Sequence, residues 1–229
     1  YLYREPFSLV SLDDGYDFWE TWVQDIDHDG IKEVCEFERK PLEAVFEVEG
    51  KRLMILLVAA KSKGVFQAKD ILNHQHLALA NRKRSLAQAM KIRSRVDRLM
   101  DEDPDLALMV MGDMNDDPGM DSFERMLGAS SRETMMGSVY APERILHNTL
   151  WHHMATKKRK DLWTLEYPDV IVQNLELHRA WLDHIFVSPA MVNGKAPVRY
   201  VKESGEVAEK DEVARKASDH FPVYCKVTV

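Results

Sequence analysis

Side chains able to do acid–base or ligand chemistry gather at three places in this 229-residue chain. The first is Gly112-Asp113-Met114-Asn115-Asp116. An aspartate next but one to an asparagine offers a metal-ligand or base carboxylate beside a neutral amide that can orient water or phosphate. The second is Asp183-His184, set inside the apolar run Arg179–Pro189, where a charged pair is costly unless it is paired or functional. The third, Asp219-His220, stands just before the alternating segment Val223–Val229. Two other stretches could hold ions. Lys61-Ser62-Lys63-Gly64 is a basic, hydroxyl-bearing turn suited to phosphate, or simply to solvent. In Asp25–Glu33 three aspartates alternate and a glycine follows, the spacing of a calcium loop. Asp25, Asp27 and Asp29 converge there if Gly30 permits the sharp turn, and Glu33 could close the shell. The competing reading is a polar hairpin turn without metal.

The elements that must position these groups follow from hydrophobic period. Leu106–Met111 is an unbroken apolar run, as in a strand buried on both faces, and it delivers Asp113 and Asn115 just past its end. Polar groups at the carboxyl ends of buried strands are where α/β proteins bind ligands. Asp116-Asp117-Pro118-Gly119 reads as a turn, because Pro fixes φ and Gly accepts positive φ, and Met120–Leu127 as a short helix. Upstream, Leu42–Glu49 and Leu53–Ala60 form a predicted hairpin about a Gly turn, and its second strand leads into Lys61-Ser62-Lys63. From Ala68 to Met100, Leu86, Ala89, Ile92, Val96 and Leu99 recur at three and four, which predicts an amphipathic helix. Arg82, Lys83, Arg84, Lys91, Arg93, Arg95 and Arg98 fill the rest, a face predicted to be solvated. Hairpin, helix and buried strand imply a crossover packed on a sheet. Tyr1–Arg4, Arg179–Pro189 and Val223–Val229 read as strands, Phe18, Trp19 and Trp22 as core, and Glu203–Lys216 as a charged loop. His147, His152 and His153 are not read as a metal site, since adjacent histidines diverge on a helix. Lys157–Lys160 reads as a basic surface loop.

A net charge of −7 gives no global basic field of the kind tight nucleic-acid binders show, although local patches and metal ions leave a nuclease open. Two cysteines, Cys35 and Cys225, cannot make a disulfide framework and are predicted to be buried free thiols. No apolar run approaches the ~20 residues of a membrane span. The chain begins at Tyr1 without a leader pattern, so any targeting signal is expected upstream and the compartment stays open.

Taken together, Gly-Asp-Met-Asn-Asp, Leu-Asp-His-Ile-Phe-Val-Ser and Ser-Asp-His-Phe-Pro-Val resemble, in that order and spacing, the endonuclease/exonuclease/phosphatase family. That superfamily includes deoxyribonuclease I, apurinic endonucleases, inositol-phosphate phosphatases and neutral sphingomyelinases. Pro41–Gly64 is similar to the family's hairpin. The resemblance spans residues 1–229 as one domain. It implies an α/β (α+β) fold, a four-layer αββα sandwich of the deoxyribonuclease I-like type. It also implies Mg²⁺- or Mn²⁺-dependent hydrolysis of a phosphodiester or phosphomonoester by activated water, with nucleic acid among the candidate substrates. By the resemblance, Asp113 activates or orients the water and Asn115 holds that water and a phosphate oxygen. Asp219 is a metal ligand, and His220 contacts phosphate or acts as base with Asp183 behind it. Lys61, Ser62 and Lys63 face substrate. Which of Asp113 and His220 takes the proton stays open, and His184, on the opposite strand face from Asp183, reads as structural.

Two departures stand out. The family opens with an Asn-bearing strand and a Gln-Glu pair whose Glu is the chief metal ligand, whereas this chain has no Asn before Asn73 and no Gln-Glu. Ala59 stands where many members carry His. The expectation is a domain lacking its N-terminal strands and weak or inactive alone. Its exposed sheet edge would be completed by an N-terminal segment or by self-association. The alternatives are a catalytically degenerate module that binds a phospho-ligand or protein, and a calcium-stabilised adhesion-type domain suggested by Asp25–Glu33.

Overall fold

The computed structural model describes residues 6–13, 17–65, 68–155, 162–168 and 177–229. Strand β1 (Ser8–Asp13) is followed by a ribbon of β2 (Trp22–Gln24) and β3 (Glu33–Cys35). The predicted hairpin is β4 (Leu42–Val48) and β5 (Lys51–Ala59). Val48 faces Lys51 across Glu49-Gly50, whose φ values of 51° and 74° are those of a turn matched to strand twist. Helix α1 (Ile71–Glu102) starts at Asp70, whose side chain accepts the Asn73 N–H. At 32 residues it runs about 48 Å and returns the chain so that β6 (Leu108–Asp113) lies parallel to β5. Then come α2 (Ser122–Leu127), α3 (Ser131–Met136), β7 (His147–Asn148) and a 3-10 turn at Trp151–Ala155. The remainder is β8 (Leu165–Pro168), β9 (Leu177–Ala180), β10 (Asp183–Val187), α4 (Pro189–Asn193), β11 (Arg199–Tyr200), β12 (Glu206–Val207), α5 (Glu212–Ala217), β13 (Val223–Tyr224) and β14 (Val227–Thr228).

The main sheet has the order β1-β4-β5-β6-β10-β7. One face, with Leu56, Val58, Val110 and Phe186, packs on Ala89, Ile92, Val96 and Leu99 of α1. The opposite face, with Leu53, Met109, Ile185 and Val187, packs on Met191, Val198 and Tyr200 and on the C-terminal residues. Here the second β layer is divided into the ribbons β11–β14 and β12–β13, with β8–β9 joined through a bridge between Leu165 and His220. The sandwich expected from sequence is present, with its second sheet in short pieces.

Three expectations are corrected. The basic side of α1 is not solvated: among the residues named for it, only Arg84 and Arg98 are exposed. Arg95 makes a two-pronged bond (2.8 and 2.7 Å) to buried Glu43 of β4, Arg82 pairs with Asp121, Arg93 with Asp97, and Lys83 with Asp27 and Glu33. The cause is that α1 is covered by the sheet, by α2 and α3, and by the β2–β3 loop. Second, Arg179–Pro189 is two strands in different sheets. The break falls at Trp181-Leu182, whose N–H groups go to the side-chain oxygens of Asp117 and Thr164 and not to a ladder. Third, Glu203–Lys216 carries β12 and α5, and Val223–Val229 is two short strands. Tyr1–Arg4 and Lys157–Lys160 lie outside the described residues. Cys35 is buried and Cys225 half-buried, both as free thiols. Among the described residues no helix is long and apolar enough to cross a membrane.

Gly112 is required by packing. Its φ is +131°, and a Cβ there would overlap the Val58 carbonyl of β5. Gly112→Ala is therefore expected to cost roughly 2–4 kcal/mol, read as a lowered urea midpoint; an unchanged midpoint would show that β5 and β6 have room to spare.

Candidate active site

Register sets the site. Ala59 pairs with Asp113 across β5 and β6, and Asp113 with Asp183 across β6 and β10, so the three form one row on one face of the sheet. His220, from the connection between α5 and β13, meets that row with Nδ1 2.8 Å from Asp183 Oδ2. Buried Thr164 fastens both partners. Its hydroxyl accepts the N–H groups of Leu182 and Asp183 (3.0 Å each), and its carbonyl accepts that of Phe221 (2.7 Å). The Glu166 N–H donates to the Asp219 carbonyl (3.1 Å) and completes the hold on the loop. Nothing in the sequence singles out Thr164, which lies just after a stretch with no readable period.

Asn115 adopts φ +50° and closes on Asp113. Its N–H donates to Asp113 Oδ1 (2.9 Å), and its amide donates to Asp113 Oδ2 (2.8 Å) and to the Ala60 carbonyl (2.9 Å). Both amide hydrogens are thus engaged within the chain, and only the amide oxygen is left for a ligand. Burial, aided by the Asp183 charge and opposed by the Asn115 N–H, holds the Asp113 pKa above the ordinary carboxylate value. For His220 burial is the largest single influence and favours the neutral ring. The hydrogen bond and charge of Asp183, with Asp113 and Asp219 adding, outweigh it, so the net pKa is raised. Asp219 is exposed beside His220. A cavity of about 370 Å³ adjoins the row, lined by Leu57, Met111, Asp183, His220, Phe221 and Pro222 among others.

The lysine turn divides. Lys61 stays near the surface, with Nζ 2.9 Å from Glu38 and its N–H on Gln88 Oε1 (2.8 Å), and Ser62 Oγ accepts the Gly64 N–H (3.2 Å). Lys63 turns inward and bridges Asp116 and Glu124, both buried, instead of facing substrate. Two carboxylates taken out of water need a cation, and Lys63 supplies it. Asp116 Oδ2 also accepts Ser130 Oγ (3.0 Å) and the Arg132 N–H (2.7 Å). The signal available in sequence was Asp116 and Glu124 flanking a tight turn. His184 is fully buried and pushed down to about 3 by burial. It accepts from Asn148 at Nδ1 and donates from Nε2 to the Asp116 carbonyl, 3.0 Å each, a structural role.

Asp25, Asp27 and Asp29 do converge, with oxygens within 4.8 Å of one another, and Asp25 Oδ1 and Asp27 Oδ1 are buried without hydrogen-bond partners. Glu33 does not close this shell. It pairs with Lys83 (2.8 Å), which also holds Asp27 (2.6 Å), so an ammonium stands where the fourth acid was expected. At the strand-end site no three carboxylates converge among the described residues. The donors there, Asp113 and Asp219, do not by themselves make the oxygen cage that Mg²⁺ or Mn²⁺ takes.

A sequence model described as the endonuclease/exonuclease/phosphatase family matches residues 55–228. No curated protein matches the sequence at a significant level. Similar solved structures include D. rerio TDP2 complexed with single strand DNA product, 12% identical at a TM-score of 0.50, covering 97% of this chain and 69% of that one. TDP2 from C. elegans is 12% identical at a TM-score of 0.51, covering 96% of this chain, which spans about half (51%) of that protein. These likenesses establish the fold, which is deoxyribonuclease I-like.

Lys63 is the cation between two buried acids. Lys63→Met leaves Asp116 and Glu124 without their cation and is expected to cost roughly 3–5 kcal/mol at neutral pH. Burial and the neighbouring Asp116 already raise the Glu124 pKa. A raised folded-state pKa means stability that is present below the unfolded value and lost as pH rises through the folded one. The deficit of Lys63→Met should therefore shrink as pH falls towards about 4.3, measured by urea denaturation across pH. A deficit constant with pH would contradict this.

Proposed function

This chain belongs to the endonuclease/exonuclease/phosphatase family, and from that premise we propose that its strand-end site hydrolyses a phosphodiester or phosphomonoester with water as nucleophile. The observation that carries this is the Asp183–His220 hydrogen bond of 2.8 Å, made in the same row as Asp113. Water attacks phosphorus in line, the bond to the leaving oxygen breaks, and one proton of the water must be taken up. Asp113, with a raised pKa, is a stronger base than an ordinary carboxylate and takes that proton. His220, kept protonated by Asp183, presents Nε2–H to a phosphoryl oxygen and stabilises the charge that develops there. Asp183 is a positioning residue: it fixes the ring by Nδ1. Asn115 positions Asp113. Mg²⁺ or Mn²⁺ is the cofactor of this proposal, Asp219 its candidate ligand; because the donors do not converge, no step is routed through an ion.

A second reading, a module that binds a phospho-ligand without turnover, is favoured by one observation. Ala59 occupies the row beside Asp113, and a methyl group there cannot protonate a leaving oxygen. In either case β1, with Val10 and Leu12 exposed and, among the described residues, a partner strand on one side only, is the edge proposed to pair with another strand, from a second copy or an N-terminal segment.

With Mg²⁺ or Mn²⁺ present, the chain should release p-nitrophenolate slowly from bis-p-nitrophenyl phosphate. Asp113→Asn and His220→Asn should each lower that rate by about 10²–10⁴-fold. Asp183→Asn should move the alkaline limb of the pH profile to lower pH, because His220 then loses its proton sooner. Release indifferent to these substitutions would overturn the proposal, and phosphate binding with no turnover would give the site to the second reading.

A further inference from the structure

Away from the strand-end row, the 3-10 turn at Trp151–Ala155 and strand β12 bring together His152, His153 and Glu206, whose ligand atoms all lie within 4.8 Å of one another. Neighbouring histidines diverge on a regular helix, but in this tight turn the two ring centroids are 3.9 Å apart. His152 Nδ1 donates to the Thr149 carbonyl (3.1 Å). That bond fixes the tautomer and leaves the Nε2 lone pair available, which is how a ligating imidazole is held. His153 donates from Nε2 to the Gly205 carbonyl (3.1 Å) and lies 3.3 Å from Glu206 Oε2, so ligation there moves the ring hydrogen to Nδ1 or releases it, as metal binding to imidazole does. Zinc bonds of about 2.1 Å in a tetrahedron separate neighbouring ligand atoms by about 3.4 Å, close to the His153–Glu206 spacing. The frame behind these side chains is fixed. The Thr149 carbonyl also accepts the Tyr200 hydroxyl (3.1 Å), and Gly205 lies so near Thr149 that a Cβ would overlap its carbonyl.

We propose that His152, His153 and Glu206 bind a divalent transition metal of the zinc class, through two imidazoles and one carboxylate with the fourth place taken by water. Such a donor set selects zinc or cobalt over magnesium and calcium, which prefer oxygen alone. The consequence is mechanical. Residues 208–222, between β12 and β13, carry Asp219 and His220. An ion at Glu206 ties the base of that connection to the turn that follows β7, and so steadies the loop that holds His220 against Asp183. The site stands whether or not the strand-end row turns over substrate.

The test is a Co²⁺ titration of the whole chain in excess Mg²⁺. One equivalent should bind with the visible band of tetrahedral cobalt and be displaced by Zn²⁺. His152→Gln and Glu206→Gln should each weaken binding about 10–100-fold, while Asp25→Asn leaves it unchanged. Zn²⁺ at a hundredfold excess over its Kd should raise the melting temperature by about 5–10 °C in the unsubstituted chain and much less in Glu206→Gln. Glu206 is exposed, so that variant keeps its fold, checked by circular dichroism, even if His152→Gln does not. Absence of a tetrahedral band, or a band of undiminished affinity in Glu206→Gln, would overturn the proposal.

Discussion

The hydrogen bond from His220 to Asp183 joins residues 37 positions apart, and most of the surrounding architecture can be understood as the means of making it. Asp183 is the first residue of β10, a strand held between β6 and β7, so its carboxylate is fixed by the sheet. His220 sits on a short connection that no long ladder supports. Thr164 supplies what is missing by accepting the Asp183 N–H at its hydroxyl and, at its carbonyl, the N–H of Phe221, the residue after His220. Each bond is worth about 1 kcal/mol net, but leaving such buried groups unpaired costs more. The geometry therefore follows from satisfying backbone groups as much as from any attraction between the two side chains.

Beneath the row lies a second layer of polar groups, buried except for the partly exposed Lys63. Lys63, Asp116, Glu124, Ser130 and neutral His184 hold the turn after β6 from below, while Asn115 and the Ala60 carbonyl hold it from above. Fully paired networks in a low-dielectric interior are stiff, because every partial opening exposes an uncompensated group. A stiff frame holds Asp113 at the position where its pKa is raised. Burial, with the Asp183 charge added, gives it a basicity that an exposed aspartate lacks, in spite of the opposing Asn115 N–H.

Much of this was legible in the chain itself, wherever the cause is local. The hairpin, α1 and β6 follow from period, and Asp113, Asp183 and His220 from the order of their motifs. What was illegible depends on distant partners. No local signal says that Trp181 and Leu182 will give their N–H groups to Asp117 and Thr164 and so break a strand, or that Glu43 and Asp121 will claim the arginines of α1. Lys63 looked like a phosphate ligand because its turn resembles one, and it is drawn inward by two acids more than fifty residues away in sequence. His152 and His153 were set aside by a rule for regular helices that a 3-10 turn does not obey.

The central claim is that Asp183 keeps His220 protonated beside a basic Asp113. Its most direct measurement is the titration of the His220 ring by nuclear magnetic resonance, in the unsubstituted chain and in Asp183→Asn. The account predicts a midpoint above the ordinary histidine value of about 6.5 that falls when Asp183 is neutralised. A midpoint at or below the ordinary value, or one unmoved by Asp183→Asn, would contradict it.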